Sequence, residues 1–172
     1  MTQKASRILV LGNGPSVNLL DQYQLPSSII TVRLNRYQGP GQTDAVCIGS
    51  QAYVDLLPPD ILPETVYMAR DLKADRPYNR VNCERGTGYD VMCCLLRGWG
   101  IQVAAALGFD GINHDIGDQV VQPHNKLTQA AAGHHIRNRW RTQAQAARDR
   151  WGVYLIYMHT PAELAQWLKL DR

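Results

Sequence analysis

Apolar residues along this chain fall in short unbroken runs rather than in strict alternation: Ile8 to Leu11, Ile29 to Leu34, Ala45 to Ile48, Thr65 to Ala69, Gln102 to Leu107 and Val153 to Tyr157. Runs of four to six residues, most of them rich in β-branched or aromatic side chains, predict strands buried on both faces. Helical patterns lie between several of them, at Val17 to Leu20, Gln51 to Leu56, Tyr89 to Trp99, Arg137 to Arg150 and Ala162 to Leu168. Strands that alternate with helices and stay apolar throughout predict an α/β fold of three layers, α/β/α, around a mainly parallel sheet. Two segments stand outside this pattern. Leu57 to Glu64 carries Pro58, Pro59 and Pro63 and is a connector. The polar stretch after Gly108-Phe109-Asp110 is long for an idle connection, and it leaves the carboxyl edge of the sheet, where open α/β sheets bind ligands. Residues 111–133 are therefore expected to form a lid, with an ordered surface excursion as the alternative.

Composition narrows the class without naming a task. A chain of 172 residues fits one domain and can bury a central sheet without disulfide or metal support. The formal charge of +3 is mild, and the basic residues are dispersed except for Arg137, Arg139, Arg141, Arg148 and Arg150, which excludes a typical nucleic-acid binder. Those five arginines read either as a solvated helix face or as an attractor of anionic substrates. Cys47, Cys83, Cys93 and Cys94 lack zinc spacing, and the adjacent pair sits in an apolar run, so they read as small hydrophobes in a reduced, cytosolic interior. No opening segment has the make-up of a secretory leader and no apolar stretch reaches membrane-spanning length, so a soluble protein with no integral membrane segment is expected.

The chemistry begins where the first apolar run stops at Gly12-Asn13-Gly14-Pro15-Ser16. Gly12 and Gly14 permit close backbone approach, and Ser16 can cap a following helix whose unpaired amides favour an anion. The segment fits a nucleotide loop or an ordinary strand-to-helix turn. Val17 stands where a dinucleotide fingerprint has its third glycine, and Pro15 contributes no amide to a phosphate. Asn113, His114, Asp115 and Asp118 lack a recognised metal geometry, so no metal site is expected.

Four fragments taken together, Gly12-Asn13-Gly14-Pro15-Ser16, Arg33-Leu34-Asn35-Arg36-Tyr37, Arg85-Gly86-Thr87-Gly88 and Gly133-His134, resemble in order and spacing the bacterial sialyltransferases of glycosyltransferase family 42. Those enzymes modify lipooligosaccharides with CMP-activated sialic acid, and the resemblance runs from Ile8 to about Trp167. It implies a Rossmann-like domain that transfers a sialic-acid-like sugar to a glycan hydroxyl with inversion, using a CMP-sugar as donor substrate and no metal or other cofactor. By position, Asn13 and Asn35 correspond to asparagines that contact the donor phosphate region and the nucleotide; either can instead close its own turn. Gly12, Gly14, Ser16, Thr87, Gly88 and Asp110 complete the implied donor site. Arg85 would position reactants through a forked bond, or make a surface ion pair. His134 matches the general base that takes a proton from the attacking hydroxyl, with His135 as a neighbouring rival.

The chain departs from that family in three places. Gly88 replaces a serine, Gly49 replaces a nucleotide-contacting asparagine, and no tyrosine occurs from Gly111 to Ala132, where the family's lid supplies tyrosines to the leaving phosphate. His114, His124 or Lys126 can carry that charge instead. The first turn is similar as well to the MptE-like pterin pyrophosphokinase and flagellin-glycosylation accessory group, so a different nucleotide-using enzyme, dependent on magnesium, is one alternative. A non-catalytic nucleotide- or glycan-binding protein is the other. The resemblance also implies a homo-oligomer, and lipid-linked acceptors would require peripheral attachment to the inner membrane.

Overall fold

The first apolar run becomes an interior strand of a seven-stranded sheet. In the computed structural model, residues 7–37, 39–109 and 144–169 are described. Strands β1 (Arg7–Leu11), β2 (Ile29–Leu34), β3 (Ala45–Ile48), β4 (Val66–Ala69), β5 (Asn79–Val81), β6 (Val103–Leu107) and β7 (Tyr154–Met158) lie in the order β5-β4-β3-β2-β1-β6-β7. All six pairings are parallel. This is a Rossmann-like α/β sheet, in agreement with the expectation. From β1 the chain builds outward through β2 to β5, then returns to the other side of β1 for β6 and β7, so the order reverses between β1 and β6. Crevices at such reversals are the usual ligand sites of open α/β sheets.

In β1 and β6 alternate side chains enter opposite layers. Val10, Val32, Leu34, Val46 and Ile48 join one core with Val91, Met92, Leu95 and Leu96 of helix α2 (Gly88–Gly98). Leu9, Leu11, Leu107 and Met158 pack on the other face against Val17 and Leu20 of the 3-10 helix Pro15–Gln22 and Leu164 of helix α3 (Pro161–Lys169). Two cores of this kind require runs that are apolar on both faces, which is the pattern of Ile8 to Leu11 and of Ala104 to Leu107.

Strands β6 and β7 start one residue later than expected, and three further differences have a visible reason. Strand β4 starts one residue late because Pro63–Thr65 forms a 3-10 turn, in which the Thr65 hydroxyl donates to the Leu62 carbonyl at 2.7 Å. Strand β5 has no apolar run; Asn79 holds it in place by donating from Nδ2 to the carbonyls of Glu64 and Val66 at 2.9 and 3.0 Å. Helix α1 is only Gln51–Val54 and stops before Leu56, which is exposed. Of the arginine-rich helix, the described part is residues 144–151, which ends in a π-helical turn, Ala147–Trp151.

Candidate functional site

The turn after β1 is joined to the end of β6 by backbone. Gly12 N–H donates to the Leu107 carbonyl at 2.8 Å and Gly14 N–H to the Gly108 carbonyl at 2.7 Å. A Cβ on Gly12 would lie 2.4 Å from the Gly108 oxygen, and Gly108 itself sits at φ +82. The glycines are thus required by the contact between two strand ends. Their amides are already engaged there, so the turn does not form the open amide cradle that its composition suggests. Ser16 also takes a different part from the one expected. The N-cap of the 3-10 helix is Gly14, and buried Ser16 instead accepts the Gly108 N–H on Oγ at 2.8 Å. The capping expectation fails because Pro15 occupies the first helical position and moves the helix start ahead of the serine.

Ring packing reinforces this junction. Phe109 makes edge contacts with Tyr89 and Tyr157, at centroid distances of 6.1 and 5.6 Å, and the two tyrosine hydroxyls meet at 2.9 Å. Burial pushes the Tyr157 phenol up to about 12 and raises that of Tyr89 as well, so both are neutral at physiological pH.

The polar groups gather one strand over, at the carboxyl ends of β1, β2 and β3. Asn13 donates from Nδ2 to the Leu34 carbonyl at 3.3 Å. Asn35 follows directly, with its N–H bonded to the Cys47 carbonyl at 2.9 Å and its backbone at φ +65. That left-handed conformation is costly for a residue with a side chain, and asparagine tolerates it better than most. The Asn35 Oδ1 atom is buried without a hydrogen-bond partner among the described residues. The start of α2 closes over the same edge: Gly86 N–H donates to the Gly49 carbonyl at 2.8 Å, and a Cβ on Gly49 would stand 2.3 Å from the Thr87 carbonyl carbon. A Cβ on Gly88 would lie 2.4 Å from Asn35 Oδ1 and 2.8 Å from the Cys47 oxygen. The glycines that depart from the sialyltransferase pattern at positions 49 and 88 are therefore the ones that let α2 seat against β2 and β3. No side-chain hydroxyl fits at 88 in this arrangement.

Thr87 is the N-cap of α2, in a capping box with Asp90. The Thr87 N–H and hydroxyl both donate to Asp90 Oδ2, at 3.0 and 2.7 Å, and Asp90 N–H donates back to Thr87 Oγ1 at 3.2 Å. The carboxylate already offsets part of the helix dipole, so an incoming anion meets a weaker field here than at a bare terminus. Thr87→Ala is expected to cost about 1 kcal/mol, a drop of roughly 2–4 °C in Tm by thermal unfolding, while Thr87→Ser stays near wild type.

Arg85 is engaged at the surface. Its N–H and Nε donate to the two carboxylate oxygens of Asp71 at 2.7 and 2.8 Å, and these bonds hold the Asp71 carboxyl below its ordinary range. This is the ion-pair alternative; Arg85 nevertheless lies on the loop that leads into Thr87. Asp110 and His134 fall outside the described residues, as do His135 and the expected lid at 111–133. Among the described residues, no cluster of three acidic, histidine or cysteine side chains could hold a metal.

Protein-family models, curated proteins and solved structures yield no match to this chain. What the geometry brings together is Asn13, Asn35, Gly49 and the Gly86-Thr87-Gly88 entry to α2, from parts of the chain far apart in sequence. A cavity lined by Arg7, Gly100, Gln102, Val103, Ile156 and Trp167 opens at the opposite, amino edge. Two things escaped the sequence reading: the engagement of the Gly12 and Gly14 amides with β6, and the pairing of Tyr89 with Tyr157. The first could have been suspected from the glycine at 108 facing the glycine at 12; nothing local in the chain announces the second. Among the described residues, no helix is long and apolar enough to cross a membrane.

Proposed function

We propose that the carboxyl edge of β1, β2 and β3 binds a cytidine nucleotide, and that the protein is a glycosyltransferase that moves a sialic-acid-like sugar from a CMP-sugar to a glycan hydroxyl with inversion. The observation that carries this reading is the meeting of Asn13, Asn35 and the first turn of α2 at one edge of the sheet, beside its order reversal. Two side-chain amides supply donors and acceptors for base, ribose or phosphate edges, and Asn35 Oδ1, which has no partner among the described residues, suits a donor on the ligand. Gly12 and Gly14 serve by letting the turn lie low, so that a flat ligand can approach the strand ends. Thr87 and Gly88 present the amino end of α2, and Arg85 lies on the loop that leads into it. His134 is the base in this scheme, accepting the proton of the acceptor hydroxyl as its oxygen forms the new bond to the anomeric carbon and CMP leaves.

The test is thermal unfolding with nucleotide monophosphates. At 100 times its Kd a ligand of the native state adds about 2.7 kcal/mol, which in a domain of this size is roughly 5–11 °C. CMP is expected to give such a shift, larger than equimolar AMP, GMP or UMP. Equal or absent shifts would overturn the reading. The absence of a hydroxyl at Gly88 favours, as a second reading, a nucleotide- or glycan-binding protein without catalysis; a CMP shift with no donor hydrolysis selects it.

A further inference from the structure

The two margins of the sheet are built differently. β5 is three residues long and polar, with Asn79 and Arg80 in it and Arg70 alongside, bonded to Asn82 and Glu84 at 3.0 and 2.9 Å. Short strands and charges are the usual means of keeping a sheet edge from pairing with another chain. β7, at the other margin, is Tyr154-Leu155-Ile156-Tyr157-Met158, five residues without a charge or a proline. The Tyr154 N–H donates to the Gln102 carbonyl at 2.8 Å, so Tyr154, Ile156 and Met158 turn their backbone groups to β6. Leu155 and Tyr157 therefore turn theirs outward, and among the described residues no strand lies beyond them. On the face of the sheet that carries α3, Tyr154 and Ile156 are 49% and 47% exposed. Val103 of β6, 56% exposed, and Trp167 of α3 continue this apolar surface around the cavity at the amino edge.

Arginines gather at the amino end of this strand. Arg148 stacks on the Tyr154 ring, 4.9 Å from its centroid, Arg150 on that of Trp151 at 4.8 Å, and Arg97 donates from Nη1 to the Arg150 carbonyl at 3.5 Å. All three are exposed. Asp149, between two of them, has both carboxylate oxygens engaged by Gln145 Nε2 at 3.0 Å. Two copies of this chain paired β7 to β7 about a two-fold axis would set this positive end opposite the carboxyl end of the other copy's strand. Glu163, the acid found there, already accepts the His159 and Thr160 N–H groups at 2.6 and 3.0 Å. An acidic segment brings free carboxylates instead, and a strand added to an open edge gains main-chain hydrogen bonds along its length. We propose that β7 is a strand-addition site for an acidic, extended segment of a partner protein, whose apolar side chains lie beside Tyr154 and Ile156 and whose carboxylates meet Arg148 and Arg150. The inference is independent of the cytidine reading, which concerns the carboxyl ends of β1, β2 and β3.

The experiment is fluorescence anisotropy, titrating the full chain into a labelled peptide of about six residues that alternates glutamate and valine. Saturable binding that weakens as salt rises is the expected result, with no binding of the lysine and valine counterpart. The same peptide N-methylated at every amide keeps its charge and apolar groups but donates no ladder bond, and should bind at least about tenfold more weakly. Arg148→Glu should weaken binding about fivefold to thirtyfold, because it exchanges an attraction for a repulsion at an exposed pair. Ile156→Glu should act in the same direction, and both positions are exposed, so the fold tolerates either change. No saturable binding up to about 1 mM, wild-type affinity in either folded variant, or equal binding of the basic or methylated peptide overturns the proposal. A dimeric wild type that Ile156→Glu dissociates, with no peptide bound, assigns the edge to a second copy and overturns it as well. The CMP shift is read separately, so failure of one reading leaves the other standing.

Discussion

Gly12→Ala should lower the melting temperature by roughly 6–12 °C, the equivalent of about 3 kcal/mol in a domain of this size. The added methyl group would enter within 2.4 Å of the Gly108 oxygen and 2.8 Å of its carbonyl carbon, both backbone atoms that no rotamer change can move. Relief requires β1 and β6 to part at their carboxyl ends, which stretches the bonds from Gly12 to Leu107 and from Gly14 to Gly108. Phe109, which also approaches this point, would lose its fit against Tyr89 and Tyr157. Gly98→Ala is the control, because nothing lies within 4 Å of that position and alanine is the better helix former. Differential scanning calorimetry reads both; a Gly12→Ala transition within 2 °C of wild type would mean that the two strand ends do not touch as described.

The largest effect on activity belongs to His134→Ala. If the imidazole removes the proton from the acceptor hydroxyl, its loss should slow transfer from a CMP-sugar by roughly 10²–10⁴-fold. CMP-dependent stabilisation should persist, since the base serves the acceptor rather than the nucleotide. Product formation and CMP release measured side by side check it, and equal rates for the two proteins would remove His134 from catalysis. His135→Ala, run in parallel, assigns the role within the pair.

The sheet was readable in the sequence because burial on two faces leaves an unmistakable trace. Ile29 to Leu34 and Ala45 to Ile48 match their strands residue for residue: the apolar positions enter a core, and Thr31 and Arg33 are buried with them. Strand β5 left no such trace. Its place is set by Asn79 reaching two neighbouring carbonyls and by Arg80 donating to that of Leu72, polar contacts made only once β4 is present. The site was legible at the level of which strand ends carry amides and glycines, and less so in what those groups do. Gly12, Gly14 and Ser16 are as suggestive of a phosphate loop in sequence as they are busy with Leu107 and Gly108 in the fold. A turn's composition records which torsions and approaches it allows; whether its amides remain open depends on a strand that arrives about ninety residues later.

The reversal of strand order has a consequence for synthesis on the ribosome. β1 pairs with β2 as soon as residue 34 has emerged, yet its other side receives no partner until β6 is made. For the intervening interval a strand whose Leu9, Val10 and Leu11 are fully buried in the finished protein is an open margin with unpaired amides and carbonyls, the arrangement that invites another chain to add on. A nascent chain halted before Val103 therefore carries its greatest aggregation hazard at that β1 margin, and chaperone demand should peak there and fall once β6 docks.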